Sequence, residues 1–333
     1  MIHSRKSGKK AGVPHHFSWK KGFVVVLIVI LLIFVVIPPI ALTILVRRHV
    51  NYRGEETPRY PLQGIYSSSD YGLEEIVHTF DTADSESLWC SEIQADEPKG
   101  VVIYLTGIMQ PSITYFYGHA AWMQQNGYSS FLLEVRSHGS STGKLIGLGY
   151  TEVADVQAVV EYIKSCEKYA SLPIVIHGVS MGGAIAINAF GQIPEIDACI
   201  AMSPFASFET QLDLLLEQMK IPKIIRQIEA PILRQALKWN YGSSTVEMLS
   251  PYNQIQNAKG RPVLLIACSG DNSVPVENTH ILQQGYPDAE VWIRDSWEHF
   301  IVKDCNFSKV TEDIEYCSRI LTWISSCFAD NGF

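Results

Sequence analysis

Residues 173–190, PIVIHGVSMGGAIAINAF, constrain the fold of this chain more than any other stretch. An apolar β-branched run (173–177) gives way at Gly178-Val179-Ser180-Met181-Gly182 to a run rich in Ala and Ile with helical character (180–190). The pattern G-x-S-x-G between strand and helix describes a sharp turn that holds a serine oxygen out at the strand tip. Its glycines permit strand and helix to approach closely. The start of the helix behind such a serine also presents a backbone N–H to a developing oxyanion.

The rest of the body is consistent with that unit. Apolar runs near 74–80, 88–93, 101–106, 130–135, 173–177, 198–202, 262–268 and 290–294 read as strands, with helical periodicity between them. In 151–166 the residues Val153, Val156, Val160 and Ile163 share one helical face, and 310–327 is a second helix. A hairpin followed by repeated strand–helix units predicts an α/β fold with a mainly parallel sheet. With 47% hydrophobic and 18% charged residues in 333, the chain can bury a large core. A net charge of −8 makes nucleic acid an improbable partner, because such binding depends on neutralising phosphates.

That charge is unevenly placed. Residues 1–59 carry ten basic side chains and two acidic ones; the remainder carries 16 basic and 32 acidic. Within the basic part, residues 23–46 hold no ionisable side chain over 24 positions. As one helix this run would extend about 36 Å, enough for a hydrocarbon core of about 30 Å. Pro38 and Pro39 interrupt its regularity, and Arg47-Arg48 close it as a stop-transfer flank, with no small-x-small cleavage site following. The expectation is therefore a basic tail (1–22), one transmembrane helix (23–46), a polar stalk (47–72) and one domain (73–333). Six basic residues before the run against four after it place the N-terminus inside and the body on the extracytoplasmic side of a single-pass membrane protein. Seven cysteines without C-x-x-C spacing suggest no metal site, and Cys199 and Cys268 fall in buried strands as small apolar residues.

A nucleophilic Ser180 needs a base, and the base needs an orienting carboxylate. Among ten histidines, His299 in DSWEHF follows the last strand and precedes the last helix, where a loop could return it to the serine. His138 and His177 read as structural, His49 as part of the stalk, and His280 as a residue of a helix after Asp271. Asp271, in ACSGDNSVP after the strand at 262–268, is the carboxylate of choice; Asp295 and Glu298 are too close in sequence to meet the imidazole edge. The order Ser180, Asp271, His299 is the one expected for a serine on such an elbow.

These residues and their order resemble the alpha/beta-hydrolase superfamily, over roughly 74–328. Leu105-Thr106-Gly107-Ile108 resembles its His-Gly-x turn after the third strand, with Thr106 where histidine is usual. Residues 134–143, EVRSHGSSTG, are similar to its D-x-R-G-H-G-x-S-x-G loop, with Glu134 for Asp and Ser137 for Gly. Ser203-Pro204-Phe205 matches the end of the sixth strand, and Asp271 with Val274-Pro275 the acid loop, though Ala267-Cys268 replaces the usual His-Gly. Within the superfamily the chain is most similar to the serine-aminopeptidase-like and lysophospholipase-like group, which includes membrane-anchored members.

The resemblance implies a mostly parallel eight-stranded sheet flanked by helices, with a helical lid at 206–259 between strands six and seven. It implies acyl transfer to water without metal or cofactor, with the backbone N–H groups of Ile108 and Met181 as oxyanion donors. The lid holds Lys220, Lys223, Arg226, Arg234 and Lys238; they either form a basic face toward lipid head groups or belong to ordinary amphipathic packing. Substrates would be small-molecule or lipid esters, with a peptidase or amidase as the alternative on the same fold. A catalytically inert membrane-bound interaction domain is the alternative of another class, and the resemblance names no protein partner.

Overall fold

The computed structural model describes residues 19–50 and 65–329. Most of the basic tail and the middle of the expected stalk, residues 1–18 and 51–64, lie outside the described residues. The body is an eight-stranded sheet in the order β1-β2-β4-β3-β5-β6-β7-β8. Its strands are β1 (Glu75–Asp81), β2 (Ser87–Ile93), β3 (Gly100–Leu105), β4 (Tyr128–Leu133), β5 (Ile174–Val179), β6 (Ala198–Met202), β7 (Val263–Cys268) and β8 (Glu290–Arg294). The β1–β2 and β2–β4 pairs are antiparallel and all others parallel.

The inner parallel strands β3, β5, β6 and β7 are buried on both faces, so they read as nearly unbroken apolar runs. Alternate residues divide between two cores. Val101, Ile103, Leu105, Ile174, Ile176 and Leu265 face one, and Val102, Tyr104, Val175, Ile200, Leu264 and Ile266 the other. Helices cover both faces. Within the first core lie residues of α4 (Val153–Ser165) and α5 (Met181–Gln192), and within the second residues of α3 (Tyr117–Gln125) and α11 (Ile314–Cys327). All seven cysteines are free thiols, and Cys199 and Cys268 are buried in β6 and β7.

Between β6 and β7 the lid is helical. It comprises α6 (Phe208–Gln218), α7 (Lys223–Tyr241) and the short α8 (Ser243–Met248) and α9 (Pro251–Ile255); α10 (Glu277–Gly285) follows β7. Ser207 caps α6 by accepting the Thr210 N–H at 3.0 Å. Arg226 of α7 is buried between Asp213 (2.7 Å) and Glu217 (3.0 Å) of α6, Lys238 pairs with Glu247 at 2.6 Å, and Arg234 lies 3.8 Å from Glu209. Three of the five lid cations thus face acids of the lid itself, as ordinary packing requires, and not a free basic face.

The N-terminal part departs from expectation in two ways. The uncharged run is not one regular helix: α1 (Trp19–Leu31), a π-helical turn (Leu32–Val36) and α2 (Ile37–Val46) follow one another. The cause is local. Pro38 and Pro39 have no N–H to donate to the carbonyls of residues 34 and 35, so the α-helical ladder fails inside the π turn. No single helix among the described residues is long and apolar enough to cross a membrane; where one helix was expected over 23–46, three consecutive helical pieces stand.

Second, residues 47–50 are no free stalk. Leu42, Val46 and Val50 are buried in the first core. The Ile146 N–H donates to Val46 O at 2.8 Å, and Val50 exchanges backbone bonds with Ser137 O and Gly139 N. His49 sets its two ring nitrogens 3.0 Å from the carbonyl oxygens of Gly139 and Gly143. At the far side of the undescribed stretch, Ser67 and Asp70 form a capping box on a 3-10 turn, Ser68–Tyr71.

Candidate active site

Ser180 stands between β5 and α5 with φ 57° and ψ −121°, a conformation costly for a residue with a side chain. The turn around it holds this strain. The Ser180 N–H donates to Met202 O at 2.8 Å, and the Ala184 N–H returns to Ser180 O at 3.1 Å. The two outer glycines are there for contact. A Cβ on Gly178 would lie 2.0 Å from Gly182 O, and one on Gly182 would lie 2.4 Å from Leu105 O. Strand, helix and the end of β3 are therefore in backbone contact beneath the serine, an approach only glycine allows.

Asp271 follows β7 and His299 follows β8, and the loops bring them together. His299 Nδ1 lies 2.7 Å from Asp271 Oδ2. Oδ1 of the same carboxylate accepts the N–H groups of Ser273 (2.7 Å) and Val274 (3.0 Å). Burial pushes the Asp271 carboxyl up; the His299 hydrogen bond and charge, with the two backbone N–H groups, outweigh it and hold it below the ordinary range. Asp295 and Glu298 are exposed, and it is Asp271 that faces the imidazole. His138 and His177 are buried away from this pair, His138 against Arg136 O and His177 near the Tyr316 hydroxyl. His280 is exposed on α10.

Ser180 and His299 line one cavity of about 390 Å³. Ile108 and Met181 line it as well, so both residues expected to supply oxyanion N–H groups border the serine. The turn after β3 is fitted closely to it, since a Cβ on Gly107 would stand 3.4 Å from that of Ser180. Leu148, Phe205, Phe208, Leu212, Leu215 and Phe300 make most of the remaining wall apolar. Leu45 of α2 completes it, so the N-terminal helix is part of the cavity. Among the described residues lining the cavity there is no Asp, Glu, Lys or Arg. Nor do the described residues include a cluster of His, Cys, Asp or Glu suited to a metal ion.

A family model described as serine aminopeptidase, S33, matches residues 96–259. A curated relative, the uncharacterized protein YqkD of Bacillus subtilis, is 31% identical over 166 residues. That match covers 47% of this chain and 51% of the relative, so the chain spans about half the length of the curated relative it matches. A solved esterase of Pyrococcus furiosus superposes with a TM-score of 0.61 at 22% identity, covering 84% of this chain and 98% of that one. The chain has the alpha/beta-hydrolase fold. An acylaminoacyl peptidase of Pyrococcus horikoshii shares this fold with a TM-score of 0.53 at 16% identity, covering 74% of this chain and 41% of that one.

Two parts of this alpha/beta-hydrolase site escaped sequence reasoning. Ser203, just past β6 with φ 44°, places its hydroxyl 3.1 Å from Asp271 Oδ2 and 2.8 Å from His299 O. Only its position in the Ser-Pro-Phe segment hinted at a role. In the turn after β3, Thr106 stands in the histidine position and its hydroxyl lies 2.7 Å from the Tyr115 hydroxyl, which also accepts the Gly107 N–H at 3.3 Å. Tyr115 thus ties down the turn that carries Ile108. No short motif marks a tyrosine eight residues away for that task.

Proposed function

We propose that this chain is a membrane-associated serine hydrolase that cleaves esters with an apolar acyl group. One observation carries the reading: a strained elbow serine opens into the same apolar cavity as a histidine bonded to a buried aspartate. Ser180 Oγ attacks the ester carbonyl while His299, through Nε2, takes its proton. Asp271 fixes the tautomer with the proton on Nδ1 and stabilises the imidazolium that forms. The N–H groups of Ile108 and Met181 receive the oxyanion. Collapse releases the alcohol, protonated by His299, and water then hydrolyses the acyl-enzyme by the same steps in reverse.

An ester is favoured over a peptide with a free N-terminus by the chemistry of the cavity wall. A terminal ammonium needs a carboxylate partner or it is buried at a heavy cost, and the described lining offers none. The membrane part of the reading rests on consecutive helical pieces between Trp19 and Val46, whose Phe23, Val24, Ile28, Ile33 and Ile40 are all exposed. The basic excess at the N-terminal flank favours an extracytoplasmic body.

A fluorophosphonate probe is expected to label the wild type and not Ser180→Ala, with equal labelling of both refuting the nucleophile. Hydrolysis of acyl esters should exceed that of aminoacyl amides; the reverse order would favour the peptidase. Protease protection of intact cells tests the orientation.

A further inference from the structure

Helix α7 has a buried inner face and a second, apolar face opposite it. Arg226, Glu229, Ala236, Leu237 and Tyr241 are buried on the inner face, the arginine through its acids on α6. At 3.6 residues per turn, Ile224, Ile228, Pro231, Ile232, Gln235 and Trp239 fall within an arc of about 100° on the other side. Lid packing leaves that stripe uncovered: Ile224 is 69% exposed and Trp239 is 73% exposed. An amphipathic lid helix needs only one apolar face, so the second calls for a covering.

Part of it faces α2 across an open groove of about 660 Å³, larger than the catalytic cavity. One wall is Pro231, Ile232, Gln235 and Trp239; the other is formed by Pro39, Ile40, Thr43 and Ile44 of α2 with Val35 and Val36 of the π turn before it. Among the described residues no charged side chain lines it, and the Thr43 hydroxyl is spent on Pro39 O at 2.8 Å. At one end polar groups close it: Asn240 donates to Thr43 Oγ1 at 3.2 Å and accepts from Arg47 Nε at 3.0 Å. The α2 wall belongs to the uncharged run of residues 23–46. If that run sits in lipid, a groove cut into its side lies at lipid depth, where water does not fill it.

We propose that this groove is a second ligand site, which takes an acyl chain of a bilayer lipid between α2 and α7. The proposal rests on the membrane reading above. Its volume and lining are those of sites for ligands of this size and chemistry. The same helix α2 separates it from the catalytic cavity, to which α2 contributes Leu45. A seated acyl chain therefore props one wall of the catalytic cavity and holds the lid helix against the N-terminal helices.

The test uses the full chain in phosphatidylcholine vesicles that contain a phosphatidylcholine with a diazirine on its acyl chain. After irradiation, adducts mapped by mass spectrometry should concentrate in residues 35–44 and 231–239. Gln235→Trp, which fills the groove, should lower their yield at least fivefold, with near-UV circular dichroism confirming that the variant is folded. Adducts confined to residues 19–34 on the wild-type chain would overturn the groove while leaving membrane association intact. A chain that does not sediment with the vesicles would overturn both, whereas fluorophosphonate labelling of Ser180 would still report on the hydrolase reading independently.

Discussion

Replacing Asp271 by Asn tests the proposed roles most sharply, because the hydrogen bonds dictate how the amide must sit. Oδ1 accepts two backbone N–H groups, from Ser273 and Val274. An amide NH₂ placed there would meet two donors, so the amide oxygen must take that position. The NH₂ then points where Oδ2 was, toward His299 Nδ1 at 2.7 Å. Facing a donor, Nδ1 must offer its lone pair, and the ring proton moves to Nε2. The imidazole then has no lone pair for the Ser180 proton, and the charge that stabilised the imidazolium is gone. An Asp-to-Asn change with this consequence costs about 10⁴ in kcat, or about 5 kcal/mol of transition-state stabilisation. Pre-steady-state hydrolysis of a p-nitrophenyl ester at pH 7 would read it as loss of the acylation burst. Asp295→Asn and Glu298→Gln, both changes at exposed positions, should stay within about twofold. An Asp271→Asn enzyme within tenfold of the wild type would refute the assignment.

Other outcomes are equally specific. Gly182→Ala puts a Cβ 2.4 Å from Leu105 O and 2.6 Å from Thr106 O; it should cost about 1–3 kcal/mol in stability, seen as a lowered Tm, and slow fluorophosphonate labelling. Val46→Ala, at a fully buried position, should cost roughly 1–3 kcal/mol, whereas an N-terminal segment independent of the body would leave its Tm unchanged. Burial pushes His138 down to about 4 and His177 down to about 3, and with the neighbouring His177 it holds His119 well below the ordinary range. The unfolded chain takes up these protons near pH 6.5 and the folded chain does not, so this stability is whole above about pH 6.5 and is lost as pH falls toward 4. Tm measured from pH 7 to 5 should fall, and less steeply in His119→Phe; equal slopes would exclude His119 from the effect.

The central strands β3, β5, β6 and β7 were legible because each obeys a local rule: an apolar run, buried on both faces, bounded by turn residues. The elbow was legible because close backbone approach demands glycine at fixed spacing, and Asp271 and His299 because each follows a strand that local pattern had already located. What escaped reading depends on single contacts between distant segments. Nothing in the polar string after residue 46 foretells that His49 and Val50 bind the loop at 137–143, nor that Ser203 reaches both Asp271 and His299. The uncharged run signalled its composition faithfully, but its continuity as a helix depended on two prolines whose effect falls four residues upstream.

Leu45 in the cavity wall has a practical consequence. Expression of a hydrolase like this one commonly begins by trimming the apolar N-terminus to obtain a tractable fragment. Here a cut at residue 50 would remove Leu45 from the cavity, Leu42 and Val46 from the core, and the His49 clasp from the loop at 137–143. A fragment so made would have a wider, wetter chamber and a looser floor. Substrate preferences measured on it would describe a different catalyst from the intact chain.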